Sequence, residues 1–268
     1  MASLSRSRLA RLIGPLVLAP ALAAAAAGCA SMRQTGADPG STGSVAAEAG
    51  PTGGDWRREA DAAGERYKAN PGNSDVAIRY ARALREIGQR AQAAAVLEQA
   101  AIRDPKNRAL LGAYGRALAD AGNYPQALEV LNRAHTPDQP DWHILSVQGA
   151  VLDQMGRHEE ARRYYASALR IAPDEPSVLS NLGLSYALSK DLKQAEETLR
   201  RASNGGRVDP RVRQNLALVV GLQGRFAEAE TIARADLPPE EAAANVAYLK
   251  QMLAHPNGIA KLPHPGTT

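Results

Sequence analysis

Five alanines, Ala93, Ala127, Ala161, Ala195 and Ala229, stand 34 residues apart without exception. Other columns keep the same phase. Gly88, Gly122, Gly156 and Gly224 fall in one, with Lys190 in the remaining place. Ala81, Gly115, Gly149, Gly183 and Ala217 form another. Large residues recur as Leu84, Leu118, Leu152, Tyr186 and Val220, and again as Leu97, Leu131, Tyr165 and Leu199, followed by Ala233. Ala100, Ala134, Ala168 and Ala202 add a further column, which Asp236 breaks. A period of this length describes one supersecondary unit that cannot bury its apolar side alone and stacks on its neighbours. Each column has a physical role. Small residues at the eighth and twentieth positions let two helices approach closely. Large residues at the eleventh and twenty-fourth fill the seam between them. Glycine at the fifteenth supplies a turn of positive φ. Proline near the thirty-second position, as at Pro105 and Pro173, ends the second helix.

The pattern resembles the tetratricopeptide repeat, with units starting at Ser74, Arg108, Trp142, Pro176 and Pro210. The fold expected is all-α: a tetratricopeptide helical-hairpin solenoid of about five repeats plus capping helices. The five units occupy 74–243. A capping helix precedes them within 55–73, where Trp56 to Ala69 stops at Asn70-Pro71-Gly72. A second cap spans 240–254, opened by Pro238-Pro239 and carrying Val246, Leu249 and Leu253 on one side; 255–268 reads as a loose tail. The run Ser203-Asn204-Gly205-Gly206-Arg207 replaces a tidy helix ending, as a solvated joint or as a partner contact.

The N-terminus reads as an address. Arg6, Arg8 and Arg11 precede an apolar run from Leu12 to Ala27 that is too short to span a membrane. Residues 1–28 therefore read as a signal peptide. The formal charge of +4 falls to +1 without these three arginines, which leaves little attraction for nucleic acid. The single cysteine, Cys29, excludes an intramolecular disulfide and follows Ala26-Ala27-Gly28. This resembles the lipobox of bacterial lipoproteins, with Ala26 where that family usually has leucine. The alternative is ordinary cleavage that leaves a free thiol. Residues 29–54 then form a lipidated cysteine and a flexible Gly/Ala/Ser/Thr/Pro tether. By resemblance to enteric sorting, Ala30 and Ser31 favour the outer membrane.

Nothing in the sequence suggests catalysis, a cofactor or a metal. Phosphate-cradling glycine loops and the G-x-S-x-G elbow are missing, and His158-Glu159-Glu160 lacks the second histidine of a metalloprotease helix. His135, His143, His255 and His264 have no metal-ligand spacing. The repeats and caps leave no room for a catalytic domain.

In the resembled repeat family the first helix of each unit lines a concave groove. Carried over by position, the groove takes Arg79, Arg82, Arg85 and Glu86 from the first unit, and Gly112, Ala113, Arg116 and Asp120 from the second. The third gives His143, Ser146 and Asp153. The last two give Asn181, Leu184, Leu188, Gln214, Asn215, Leu218 and Leu222. A basic end and an amide-plus-leucine end suit a peptide with an acidic end. Equally, the arginines form a solvated helix face and the leucines belong to the core. The runs Val212 to Phe226, Arg234 to Pro239 and Ala244 to Leu249 resemble the TadD family, tetratricopeptide lipoproteins of the tight-adherence (Flp) pilus assembly system. That resemblance implies a non-catalytic outer-membrane lipoprotein facing the periplasm. Its partner would be the secretin or another assembly component, with the chain in the role of a pilotin. The alternative is a general periplasmic scaffold or chaperone-like binder in envelope assembly.

Overall fold

The computed structural model describes residues 53–204 and 209–254. The signal peptide, Cys29, the tether, Gly205 to Val208 and the tail lie outside the described residues. Twelve helices are described: α1 (Gly53–Ala69), α2 (Ser74–Glu86), α3 (Arg90–Arg103), α4 (Arg108–Asp120), α5 (Tyr124–Arg133), α6 (Trp142–Gln154), α7 (His158–Ile171), α8 (Pro176–Leu188), α9 (Leu192–Ala202), α10 (Pro210–Leu222), α11 (Phe226–Ala233) and α12 (Pro239–Ala254). Helices α2 to α11 make five antiparallel hairpins, stacked in chain order between α1 and α12. Among the described residues, no helix is long and apolar enough to cross a membrane.

Each hairpin begins on a capped helix. Asn73, Asn107, Asp141, Glu175 and Asp209 accept backbone N–H groups from the first turns of α2, α4, α6, α8 and α10. These donors have no partner inside the helix, so a side-chain acceptor there is worth about 1 kcal/mol. Each hairpin turns through a left-handed residue. At Gly88 φ is +80°, and the N–H of Gln89 bonds back to the Leu84 carbonyl at 2.8 Å. Lys190 takes the same place with φ +67° and the same pair of bonds, from Lys190 to Ala187 and from Asp191 to Tyr186. Packing on both sides thus imposes a glycine conformation on a lysine, at a cost of about 1 kcal/mol.

The seam of each hairpin explains the small and large columns. Gly115 faces Leu131, Gly149 faces Tyr165 and Gly183 faces Leu199. A Cβ at these glycines would lie 2.5–2.6 Å from side-chain carbons of the facing residue. Leu131, Tyr165 and Leu199 are each at most 1 % exposed, so none has space to retreat. The core runs along the whole stack. It is built of alanine, leucine and valine, and among the described residues Tyr165 is its one fully buried ring.

Polar staples join neighbouring hairpins. Asp153 on α6 accepts bonds from Tyr165 Oη of α7 (2.9 Å), Ser185 Oγ of α8 (2.8 Å) and the imidazole Nδ1 of His158 (2.8 Å). Burial raises the Asp153 carboxyl above its ordinary value, against the pull of these three bonds. On the second helices, Glu196 of α9 meets Arg200, Arg225 and Gln223. Burial alone would raise its carboxyl, but the bonds from Arg225, Gln223 and Arg200 outweigh it and hold it at about 2.

The last helix departs from the expected pattern at its end. Ala242 is fully buried, Val246 joins the core, and Leu249 reaches Gly221. Leu253, placed on the same side by the sequence, is 43 % exposed, because α12 extends past the hairpin it covers.

Candidate functional site

The first helices of successive units, α2, α4, α6, α8 and α10, form a row one helix per unit. Contacts between α2 and α4, α4 and α6, α6 and α8, and α8 and α10 make it continuous. Two side-chain bonds run along this row with the same geometry. Asn181 Nδ2 donates to Ser146 Oγ at 3.2 Å, and Asn215 Nδ2 donates to Ser180 Oγ at 2.9 Å. The serines are buried; the asparagines are half-buried. Each asparagine keeps one amide N–H and its carbonyl oxygen for other partners.

Beside this ladder lies a cavity of about 360 Å³. Arg116 of α4 lines it, with Trp142, His143, Ser146 and Val147 of α6. Asn181 and Asn215, with Ser177, Ser180, Val212, Asp209 and Arg211, complete it. The Trp142 and His143 rings stack with centroids 3.5 Å apart, and His143 Nδ1 lies 3.1 Å from Asp141 Oδ1. Arg116 is half-buried, and its guanidinium makes no hydrogen bond or ion pair with the described residues. Burial, and after it the charge of Arg85, lower the Arg116 pKa, while Asp120 and Asp141 act the other way. A guanidinium stays charged under such a shift, so this cation is desolvated and only partly compensated, by Asp120 and Asp141. A larger hollow of about 510 Å³ lies at the turn Gly88 to Gln92 beside Asp120 and Ala121. It is a cleft between hairpin turns and gathers no comparable set of side chains.

Of the residues expected in the groove, Arg116, His143, Ser146, Asn181 and Asn215 come together in the cavity. The others do not line it. Arg79 is exposed on α2, and Gln214 is exposed on α10. Arg82 lies 5.7 Å from the centre of the Trp56 ring of α1, and Arg85 is paired with Asp120 of the next unit. The basic end is therefore partly spent within the protein. Leu184 and Leu218 are half-buried, between the groove and core readings. Ser180, Arg211 and Trp142 were not singled out from the sequence as groove residues. Ser146 and Ser180 are 34 residues apart, as are Asn181 and Asn215, and that spacing was the available signal. His135 serves the interior: its Nε2 lies 3.2 Å from Gln148 Oε1, and Gln148 is fully buried. No group of three or more His, Cys, Asp or Glu among the described residues could hold a metal ion.

Tetratricopeptide repeat profiles match residues 88–148, 143–207 and 210–235. The chain is a tetratricopeptide-repeat solenoid. Solved structures agree on the architecture. A tetratricopeptide repeat protein from Parabacteroides merdae superposes with a TM-score of 0.64 at 12% identity, over 74% of this chain and 78% of that one. PilW, a widely conserved type IV pilus biogenesis factor, gives 0.62 at 18%, over 73% and 92%. PilF of Pseudomonas aeruginosa gives 0.51 at 17%, over 76% and 86%. These identities establish likeness of fold. No curated protein matches the sequence significantly.

Proposed function

We propose that this tetratricopeptide protein is a non-catalytic adaptor of tight-adherence pilus assembly. Lipidated Cys29 holds it in the outer membrane, facing the periplasm. Its groove captures a protein partner, the secretin or another assembly component. The observation that carries the binding part is the cavity between α4 and α10, where half-buried Arg116, exposed Arg211 and two half-free amides converge. Such a surface recognises a chain by its backbone and its charge, which is adaptor chemistry and not catalysis. The resemblance of Val212 to Leu249 to TadD supplies the pilus context. PilW, a pilus biogenesis factor, shares the architecture and is compatible with it. A tether of residues 30–54 spans about 25–30 Å on average, so the solenoid would search a volume close to the membrane.

The anchor is tested by membrane fractionation. Cys29→Ser is expected to move the protein from the outer-membrane fraction to the soluble periplasm, because the thioether-linked lipid has no other attachment point in a chain with one cysteine. A variant that stays firmly in the outer membrane would show that the lipid does not hold it.

A further inference from the structure

We infer that the edge formed by the loops after α1 and α3 rests on an anionic lipid surface. The inference rests on the anchor proposed above, which keeps the chain beside a membrane, and adds the face turned toward it. The edge is assembled by arginines that reach back to the preceding loop. Arg103 Nη1, in the last turn of α3, donates to the Pro71 carbonyl at 2.7 Å. Arg133 Nη2, in the last turn of α5, donates to the Pro105 carbonyl at 3.1 Å. Both guanidinium groups are exposed and keep further N–H groups for a ligand. Arg66, in the last turn of α1, and Lys106, in the loop after α3, are exposed and bond to none of the described residues.

Acids on this stretch are fewer and largely occupied. Glu65 pairs with Lys68 at 2.7 Å. Asp104 is half-buried and accepts bonds from Ser74 Oγ at 3.1 Å and Asn107 Nδ2 at 2.9 Å. Asp75 stands exposed in the first turn of α2. Exposed Asp138 and Asp141 end the basic stretch in the loop after α5. An apolar side chain stands among the cations. Ile102, beside Arg103, is 69 % exposed, more than any other large hydrophobic residue described. A lone protruding isoleucine ringed by cations suits a headgroup boundary, where the branch enters the acyl region and the cations stay at phosphate level. An acidic protein would satisfy the cations and leave Ile102 unexplained. Bulk attraction is small, since the chain beyond its first 28 residues carries a formal charge of +1, so the local arrangement must supply the binding. The contact is weak and salt-sensitive. It orients the anchored chain and does not hold it alone, so Cys29→Ser still leaves the membrane. The cavity is lined mostly by α6, α8 and α10, so the two surfaces use different residues.

Sedimentation with vesicles tests this, using the chain from residue 29 onward with Cys29→Ser. No lipid is attached, so failure of the anchor reading neither produces nor masks the result. At low salt the chain is expected to sediment with phosphatidylcholine vesicles that contain phosphatidylglycerol, not with phosphatidylcholine alone, and to be released by added salt. Arg66→Gln together with Lys106→Gln is expected to weaken binding about 25-fold, about five-fold for each charge. Ile102→Ser should weaken it several-fold without changing any charge. Lys193→Gln, an exposed cation on α9, should change nothing. Should the double variant misfold, Ile102→Ser decides alone. Equal sedimentation with both vesicles, or binding indifferent to the edge variants, would overturn the inference. Capture by soluble polyglutamate with no sedimentation on either vesicle would also overturn it, and would give the edge to an acidic protein.

Discussion

Gly149→Ala is expected to destabilise the solenoid by about 2–3 kcal/mol, although alanine is the better helix former. The new methyl would stand 2.5 Å from Tyr165 Cε1, 2.8 Å from Cζ and 2.9 Å from Cδ1. A mobile ring would step aside. This one is 1 % exposed, and its hydroxyl is held at 2.9 Å by Asp153. The helices α6 and α7 must separate instead, and separation loosens the contacts on both sides of the third unit. The helix-propensity gain of about 1 kcal/mol is included in the net figure. Denaturant unfolding of the full chain checks it. The control is Gly72→Ala, at a site where the nearest atom to a new Cβ is 3.9 Å away. An unchanged midpoint for Gly149→Ala would mean that close approach is not what the small-residue column is for.

Asp153→Ala is expected to cost about 2–4 kcal/mol, because it leaves the Tyr165 and Ser185 hydroxyls without their acceptor in the interior. Ser185 is fully buried and Tyr165 nearly so, which keeps water from taking the vacated place. The loss also cuts the staple between the third and fourth units, so unfolding should become less cooperative. Asp153→Asn separates charge from hydrogen bonding. The folded chain binds the Asp153 proton more tightly than the unfolded chain, since burial raises its pKa above 3.8. Its contribution therefore favours the folded state at low pH and declines as pH rises from 3.8 through the raised value. The amide of the variant cannot titrate, so Asp153→Asn should lose that downward slope in unfolding free energy against pH. An identical slope in both proteins would show that another group controls stability in this range.

The architecture was legible because each structural demand repeats. A helix hairpin needs a small residue where its helices cross and a left-handed turn between them, and both needs return every 34 residues as Gly149 and Gly156 do. Lys190 shows the limit of reading single columns: it breaks the glycine pattern and still adopts φ +67°, because its neighbours hold it there. The capping column, Asn73 to Asp209, was equally periodic but lies one residue before each unit start, outside the columns read for packing. The site was less legible. Arg79, Arg82, Arg85 and Arg116 look alike in the sequence, and only spatial neighbours distinguish them. Trp56 from the cap takes Arg82, and Asp120, 35 residues on, takes Arg85. Such pairing between units depends on how the hairpins stack, which no single repeat encodes. The lipid anchor falls on residues outside the described ones, so fractionation of Cys29→Ser carries that part of the reading.

The most direct measurement is the amount and membrane location of secretin multimers in cells that lack this protein, with the unaltered chain and Arg116→Gln supplied in trans. The adaptor reading with the secretin as partner predicts that multimers vanish or collect in the inner membrane, that the unaltered chain restores them, and that Arg116→Gln does not. Normal outer-membrane multimers without the protein would contradict the secretin as its partner. Broad envelope defects alongside normal surface pili would contradict the pilus role itself and favour a general periplasmic scaffold.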